Sequence, residues 1–317
     1  MPAPPTEDFP TDAARRSSLR ARNGPPPTDG RKPFVPCRVA RRPPTLPPVA
    51  RMRKYWHVVN IALQNTLVYR VNFLFRAMFG LLPLMAVISL WRTVYAGRGT
   101  DIEGYTLAQM VSYYLIVTLV DMFTAVNEDD WQIAADIKDG NISQFLLKPL
   151  DYLAYRFCLF GAGRLIYTSV ALVPVGLFIL WQRQWFVAPP DAVTFAWFAL
   201  SVVLTALLQF FLSYTMALLA FWVSEVSTFI FIVFAFEYLA GGHLFPLDIL
   251  PPTLTRVLML TPFPYQLFFP VQIYLGRATD AALYLGLAVQ AGWVLIMFAA
   301  ARLVWSRGIR RYSAVGG

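Results

Sequence analysis

IKDGNISQFLLKPL, Ile137 to Leu150, is a charged and amphipathic run in a chain that is otherwise 57% hydrophobic and only 14% charged. It lies in the polar segment Glu128 to Arg164, between apolar stretches of bilayer-spanning length. Asn127 ahead of Glu128, Asp129 and Asp130 reads as a helix start, because acidic groups are favoured at the positive end of the helix dipole. Trp131, Ala134, Ala135 and Ile137 alternate with Asp136 and Asp139, and Gly140 supplies a stop. Asn141 with Gln144 three residues on predicts a second capping box. Phe145, Leu146 and Leu147 then make a short apolar ridge ahead of Lys148 and Pro149. Two short helices joined at a glycine suit a rigid knuckle projecting from the membrane. The same pattern equally suits a solvated connecting loop resting on headgroups.

Around this segment the chain reads as an all-α integral membrane protein. Its mean hydropathy is +0.52, and its charge falls well short of the roughly 25% usual in soluble domains. The periodicity predicts six membrane-spanning helices near 71–91, 107–127, 165–182, 194–221, 227–243 and 281–303. Residues 52–317 form the six-span domain. An amphipathic helix opens it, with Arg53, His57, Asn60 and Gln64 on one face and Tyr55, Val59, Ala62 and Leu63 on the other. Residues 1–51, rich in proline and arginine, bury too little apolar surface to offset their ordering entropy and are expected to be a disordered arm. Met52, where the patterning begins, is a candidate initiator.

The net charge of +9 does not point to nucleic acid, because the cations sit in the arm and at the ends of apolar segments. Outside the arm, one side carries Arg53, Lys54, Arg70, Lys138, Lys148, Arg156, Arg164, Arg302, Arg307, Arg310 and Arg311. The other carries Arg92, Arg98, Arg183, Arg256 and Arg277. This asymmetry places both termini and the 128–164 segment in the cytoplasm.

Two further regions carry candidate function. Ala240 to Pro252 breaks the fifth span, and Thr261 to Pro270 is too apolar for an ordinary loop and too proline-broken to cross. Short helices re-entering the outer leaflet fit, either as a gate over the pathway or as a plug with a packing role. Within this region His243, Pro246 and Asp248 are candidate cavity or gate residues. Ionisable groups at membrane depth are functional candidates by their cost. Arg76 and Asp121 stand at equal depth in the first two spans and are expected to pair. Glu237 faces a cavity, a partner protomer, or an apolar site that keeps it neutral.

The loop motif, with the amphipathic opening helix, the six spans and the proline-rich outer segment, resembles the type-2 ATP-binding-cassette exporter permeases. The resemblance covers nearly all of 52–317. It implies that the loop is a coupling helix seated in a cleft of a separate cytoplasmic ATPase. It assigns Trp131, Ile137, Asp139, Gly140, Ile142, Phe145, Leu146 and Lys148 to that contact. It also implies two ATPase copies, a second permease subunit (identical or related), and a prokaryotic plasma membrane. Importer permeases carry a Glu-Ala-Ala motif followed at fixed spacing by glycine; Ala134-Ala135 and Gly140 lack the glutamate and the spacing.

The chain has no G-x-x-x-x-G-K-[ST] loop, so ATP and Mg are expected on the partner and no cofactor here. No G-x-S-x-G or H-E-x-x-H motif appears, and no enzymatic chemistry is expected. Cys37, Cys158, His57 and His243 are too scattered for a metal site. Two competing readings remain at this level, an ion-gradient-driven secondary transporter and a membrane scaffold. The first predicts broken helices in both halves, and only one half has them.

Overall fold

Lipid offers the backbone no hydrogen bonds, which favours helix over every open alternative. The computed structural model of the chain describes residues 48–98, 101–126, 129–148, 150–223 and 225–312. The expected arm up to residue 47, the Asn127–Glu128 helix start and Pro149 lie outside them. Among the described residues the regular elements are helices, with a single isolated bridge between Ile102 and Tyr105.

Helix α1 (Pro48–Leu67) begins ahead of the expected Met52 and packs along α6 (Tyr152–Trp181), with Ala62 buried. With α6, four more helices are long and apolar enough to cross a membrane: α2 (Arg70–Arg98), α3 (Leu107–Thr124), α7 (Ala192–Ala217, extended by a 3₁₀ turn to Phe221) and α11 (Asp280–Arg311). The expected third span, 165–182, falls within α6, whose helix is longer than the span. Asp151 caps α6, its Oδ1 accepting from Ala154 N at 3.0 Å, so the helix starts at Tyr152 and absorbs Arg156 and Arg164. Those two charges lower the local hydropathy but do not stop a capped helix.

The fifth span, expected at 227–243, is shorter. Helix α8 (Ser227–Ala240) has 14 residues. At 1.5 Å per residue it reaches about 21 Å, short of the ~30 Å hydrocarbon core. The chain then turns at Gly242 (φ +94°) beside α3. Tyr113 Oη donates to the Gly242 carbonyl at 2.6 Å, and a Cβ on Gly242 would meet that hydroxyl at 2.6 Å. Tyr114 Oη donates to the Leu244 carbonyl. A 3₁₀ turn (Leu247–Ile249), α9 (Pro252–Leu258), a second 3₁₀ turn (Phe263–Tyr265) and α10 (Phe268–Tyr274) follow. The loop helices α4 (Asp129–Lys138) and α5 (Ile142–Leu146) complete the set.

Irregular backbone packed among helices must find its partners there. Gln290 of α11, fully buried, donates to the Tyr265 carbonyl at 2.8 Å, to the Ser201 carbonyl at 3.1 Å and to Thr205 Oγ1 at 3.1 Å. Its own oxygen accepts from Ser201 Oγ at 2.9 Å, and Phe268 N donates to the Gly241 carbonyl at 2.9 Å. One buried amide thus ties α7, α11 and the returning segment together.

The second capping box does not form as expected. Asn141 has helical backbone and caps nothing with its side chain; Ser143 Oγ instead donates to the Gly140 carbonyl at 2.7 Å. The capping box in the structure is Thr106 with Gln109, at the start of α3. Replacing Gln290 with Leu is expected to destabilise the protein by about 1–3 kcal/mol, by stranding buried carbonyls. The melting temperature of the detergent-purified variant against the parent checks this.

Candidate functional site

The knuckle is held to the body by burial and by one ionic cluster. Ile133, Ala134 and Ile137 of α4 and Ile142 of α5 are buried; Ile133, Ile137 and Ile142 join a core with Leu208, Phe210, Tyr214 and Leu218. Gly140, at φ +77°, makes the bend between α4 and α5, and its carbonyl accepts from Tyr312 Oη at 3.0 Å. Arg156, 4% exposed, pairs with Asp136 and donates from Nε to Tyr152 Oη at 3.0 Å. Tyr152 Oη donates in turn to Asp136 Oδ2 at 2.9 Å, and Arg156 Nη1 reaches Gln132 at 3.4 Å.

The C-terminal helix grips the same junction. Arg302 pairs with Asp151, and Trp305 stacks on Tyr152 with ring centroids 5.0 Å apart. Helix α1 adds Tyr55 Oη, which accepts from Asp151 N at 3.3 Å. The knuckle is therefore an anchored feature and not a free connecting loop.

Two residues assigned to partner contact, Ile137 and Ile142, face inward instead, 5% and 0% exposed. Both lie on the faces of α4 and α5 that pack against the body, where apolar side chains lose water. Trp131, Asp139, Leu146 and Lys148 are exposed. Phe145 is half-buried against Tyr155 and Tyr152 with Lys148 over its ring, and Gly140 is the bend itself. The most outward apolar side chain is Leu147, 88% exposed. Its place in the ridge was visible in the sequence, but its orientation depends on where α5 ends.

A cavity of about 610 Å3 lies between α2, α3, α6, α7 and α8, with Trp131 of α4 on its wall. Leu212, Met216, Phe231, Phe234 and Tyr167 give it apolar walls; Arg76, Arg164, Asp121, Glu237 and His243 give it charge. Arg76 and Asp121, expected to pair, both line this cavity, and Asp121 has an ionic partner in His243, Nε2 to Oδ1 3.4 Å. The short α8 delivers His243 to the depth of Asp121, which a full-length span would not have done. Glu237 accepts from Gln209 Nε2.

The other two gate candidates sit elsewhere. Pro246 is buried and leads into the 3₁₀ turn. Asp248 accepts from Tyr105 Oη at 2.7 Å and from Gln272 Nε2 at 2.8 Å, with Arg277 Nη2 at 3.9 Å. Arg277 lies 3.8 Å over the Tyr105 ring and donates to the carbonyls of Gly104 and Glu103. Burial first, then the neighbouring Asp248 carboxylate, raises the Tyr105 phenol well above its ordinary range, so it stays a donor. This is a latch between the α2–α3 loop and the segment after α8.

Among the described residues no cluster of histidine, cysteine and acidic groups fits a metal ion. Asp136→Asn leaves the Arg156 charge buried without its counter-ion. It is expected to destabilise toward the lower end of about 3–5 kcal/mol, since Asp136 keeps some solvent access. Adding Arg156→Gln should recover part of that loss; thermal melts of the two single variants and the double variant in detergent check the coupling.

No curated protein matches the chain. The family model described as ABC-2 family transporter protein matches residues 81–316, well over half of the chain and including the knuckle, the latch and all of the cavity wall except its Arg76, Ala77 and Gly80. With five helices of membrane-crossing length, the chain is a multi-pass membrane protein. It belongs to the ABC-2 transporter family, as a membrane permease subunit.

Proposed function

We propose that this permease subunit forms half of the pathway of an ATP-driven exporter and receives work through its knuckle from a separate cytoplasmic ATPase. The observation that carries the reading is Leu147 with Leu146, an apolar ridge 88% and 50% exposed on a turn anchored from behind by Arg156, Asp136 and Ile142. An exposed apolar tip on a rigid base suits insertion into a partner's cleft. Trp131, Asp139 and Lys148 flank it and complete the contact; Ile137, Ile142 and Gly140 hold its shape.

In this reading the sixth pass consists of α8 together with the turns and short helices after it, which re-enter the outer half of the bilayer. Both termini then lie in the cytoplasm. Two permease subunits, identical or related, assemble with two ATPase subunits in a prokaryotic plasma membrane. ATP and Mg bind the ATPase, and closure of its dimer shifts the permease between two packings. The Asp121–His243 pair beside Glu237 supports one second reading, ion-driven transport, since ionisable groups at this depth suit a proton relay.

The test is Leu147→Asp in the tagged full chain, purified gently from its native membrane. The parent is expected to carry an ATP-binding subunit near stoichiometry; the variant is expected to lose it, with its melting temperature within about 1 °C of the parent, as for a surface change. Proton-gradient-driven uptake by vesicles of the ATPase-free chain would establish the second reading instead.

A further inference from the structure

Helix α11 is sided along its whole length. Leu283, Leu287, Gln290, Val294, Ala301 and Gly308 are buried, and at about 100° per residue they share one face. The opposite face is exposed; it carries Leu285, Ile296, Ala299 and Leu303, then Arg307 and Arg310, with Arg311 at its edge. The exposed apolar stripe therefore runs straight into guanidinium groups. Depth agrees with this order. The helix is about 48 Å long, against ~30 Å of hydrocarbon. With the span ending near Leu303, Arg307 stands about 6 Å beyond it, in a headgroup layer roughly 5–7 Å thick. Arg310 is about 4 Å further out, and its stem reaches back.

No described acidic side chain forms an ion pair with these three arginines: Asp136 pairs with Arg156, Asp151 with Arg302, and Glu225 accepts from Ser227. Residues 313–317 add no acidic side chain, and α4 opens at Asp129, about 15 Å along that helix from the bend at Gly140. The helix dipole favours cations near a C-terminus on any face, so it does not account for the side they occupy. The inward side of the same turns is fixed. A Cβ on Gly308 would meet the Phe221 ring at 2.2 Å, and Tyr312 Oη donates to the Gly140 carbonyl at 3.0 Å. The arginines are thus held to the exposed side by a helix end that cannot roll.

We propose that this face binds an anionic phospholipid of the bilayer, its phosphate on Arg307 and Arg310 and an acyl chain along Leu303, Ala299 and Ile296. Charge complementarity selects that occupant over a neutral lipid, by about fivefold for each basic residue near an anionic lipid surface. Guanidinium forks also match phosphate oxygens two at a time. The apolar stripe on the same face selects a lipid over a soluble anion. Tyr312 follows Arg311 directly, so a lipid held here secures the end of α11 that braces the bend of the knuckle. The inference goes beyond the permease reading and needs no ATPase.

The experiment uses the full chain in nanodiscs of mixed phosphatidylcholine and phosphatidylglycerol, and native mass spectrometry counts the lipids that stay bound as the disc is stripped. The parent is expected to retain phosphatidylglycerol at least about tenfold above its share of the disc, and Arg307→Gln with Arg310→Gln to lose that enrichment. Arg307→Gln alone should lower it about fivefold, which carries the test if the double variant folds poorly. Arg183→Gln with Arg256→Gln removes the same charge from exposed positions on the segments that follow α6 and α8. It should leave the enrichment unchanged. Equal retention of the two lipids, unchanged enrichment in the Arg307 and Arg310 variants, or an equal loss in the Arg183 and Arg256 control overturns the proposal. Displacement of the lipid by millimolar glycerol phosphate assigns the arginines to a soluble anion and overturns it too. So does an ATP-binding subunit lost from the double variant in native membranes with no enrichment in the parent, which makes this face a protein contact.

Discussion

A backbone that leaves a helix inside a bilayer has to find every hydrogen bond within the protein, and this constraint organises the half of the molecule around α8. Helix α8 stops after 14 residues, and the chain that follows must turn, pack and return while remaining satisfied. Tyr113 and Tyr114 meet the turn's carbonyls, and Gln290 with Thr205 meets the carbonyl of Tyr265. These partners come from α3, α7 and α11, so the irregular segment recruits three long helices to it. That recruitment explains why α3 is buried along most of its length, from Met110 to Val117, while α6 and α11 present Leu165, Leu177, Leu285 and Leu295 outward. A helix surrounded by its own chain can carry tyrosine hydroxyls; one facing lipid gains nothing from them.

At the other end the organising interaction is ionic. Burying Arg156 is costly unless its charge is matched and its donors are filled. Asp136 matches the charge and, with Tyr152 and Gln132, fills the donors; Tyr152 opens α6 and the other two belong to α4. The result fixes α4 against the body more specifically than its isoleucines alone could, since apolar contact tolerates sliding and a guanidinium fork does not. Arg302 and Trp305 extend this fixation to the C-terminal helix.

The sequence made the long helices legible because a bilayer imposes one length and one composition. It hid the end of α8 for the same reason: apart from Glu237 and His243, Phe234 to Leu244 is apolar whether it crosses the membrane or turns inside it, and the Gly241-Gly242 pair marks the difference. It also hid the true start of α6, where Arg156 looked like a loop charge and is a buried anchor. In the knuckle, the bend at Gly140 was legible from residue type, since φ +77° suits glycine. The division of Ile137 and Ile142 from Leu146 and Leu147 was not, because four aliphatic side chains have the same chemistry and only packing assigns them sides. The Asp121–His243 pair lay beyond reach, since it depends on where α8 ends. Gln290, Ser201 and Thr205 carried a signal that went unread: polar groups within apolar helices that need partners.

The two organising interactions meet in α4. Its neighbouring residues Trp131 and Gln132 line different cavities, the first the one beside α8 and the second a cavity of about 580 Å3 against α1. Gln132 also accepts from Arg156 of α6, and Arg164, two turns further along α6, lines both cavities. A partner that displaces the Leu146–Leu147 ridge moves a rigid knuckle, because Ile142 and the Arg156 cluster resist local yielding. The displacement must then appear at Trp131 and Gln132, on the walls of both cavities. If the knuckle docks an ATPase, coupling needs no long wire through the spans, because the knuckle is itself part of the walls of both cavities. On that reading the knuckle and the cavity walls form a single two-state element, in which the partner and a ligand in the cavity bias each other by differential affinity.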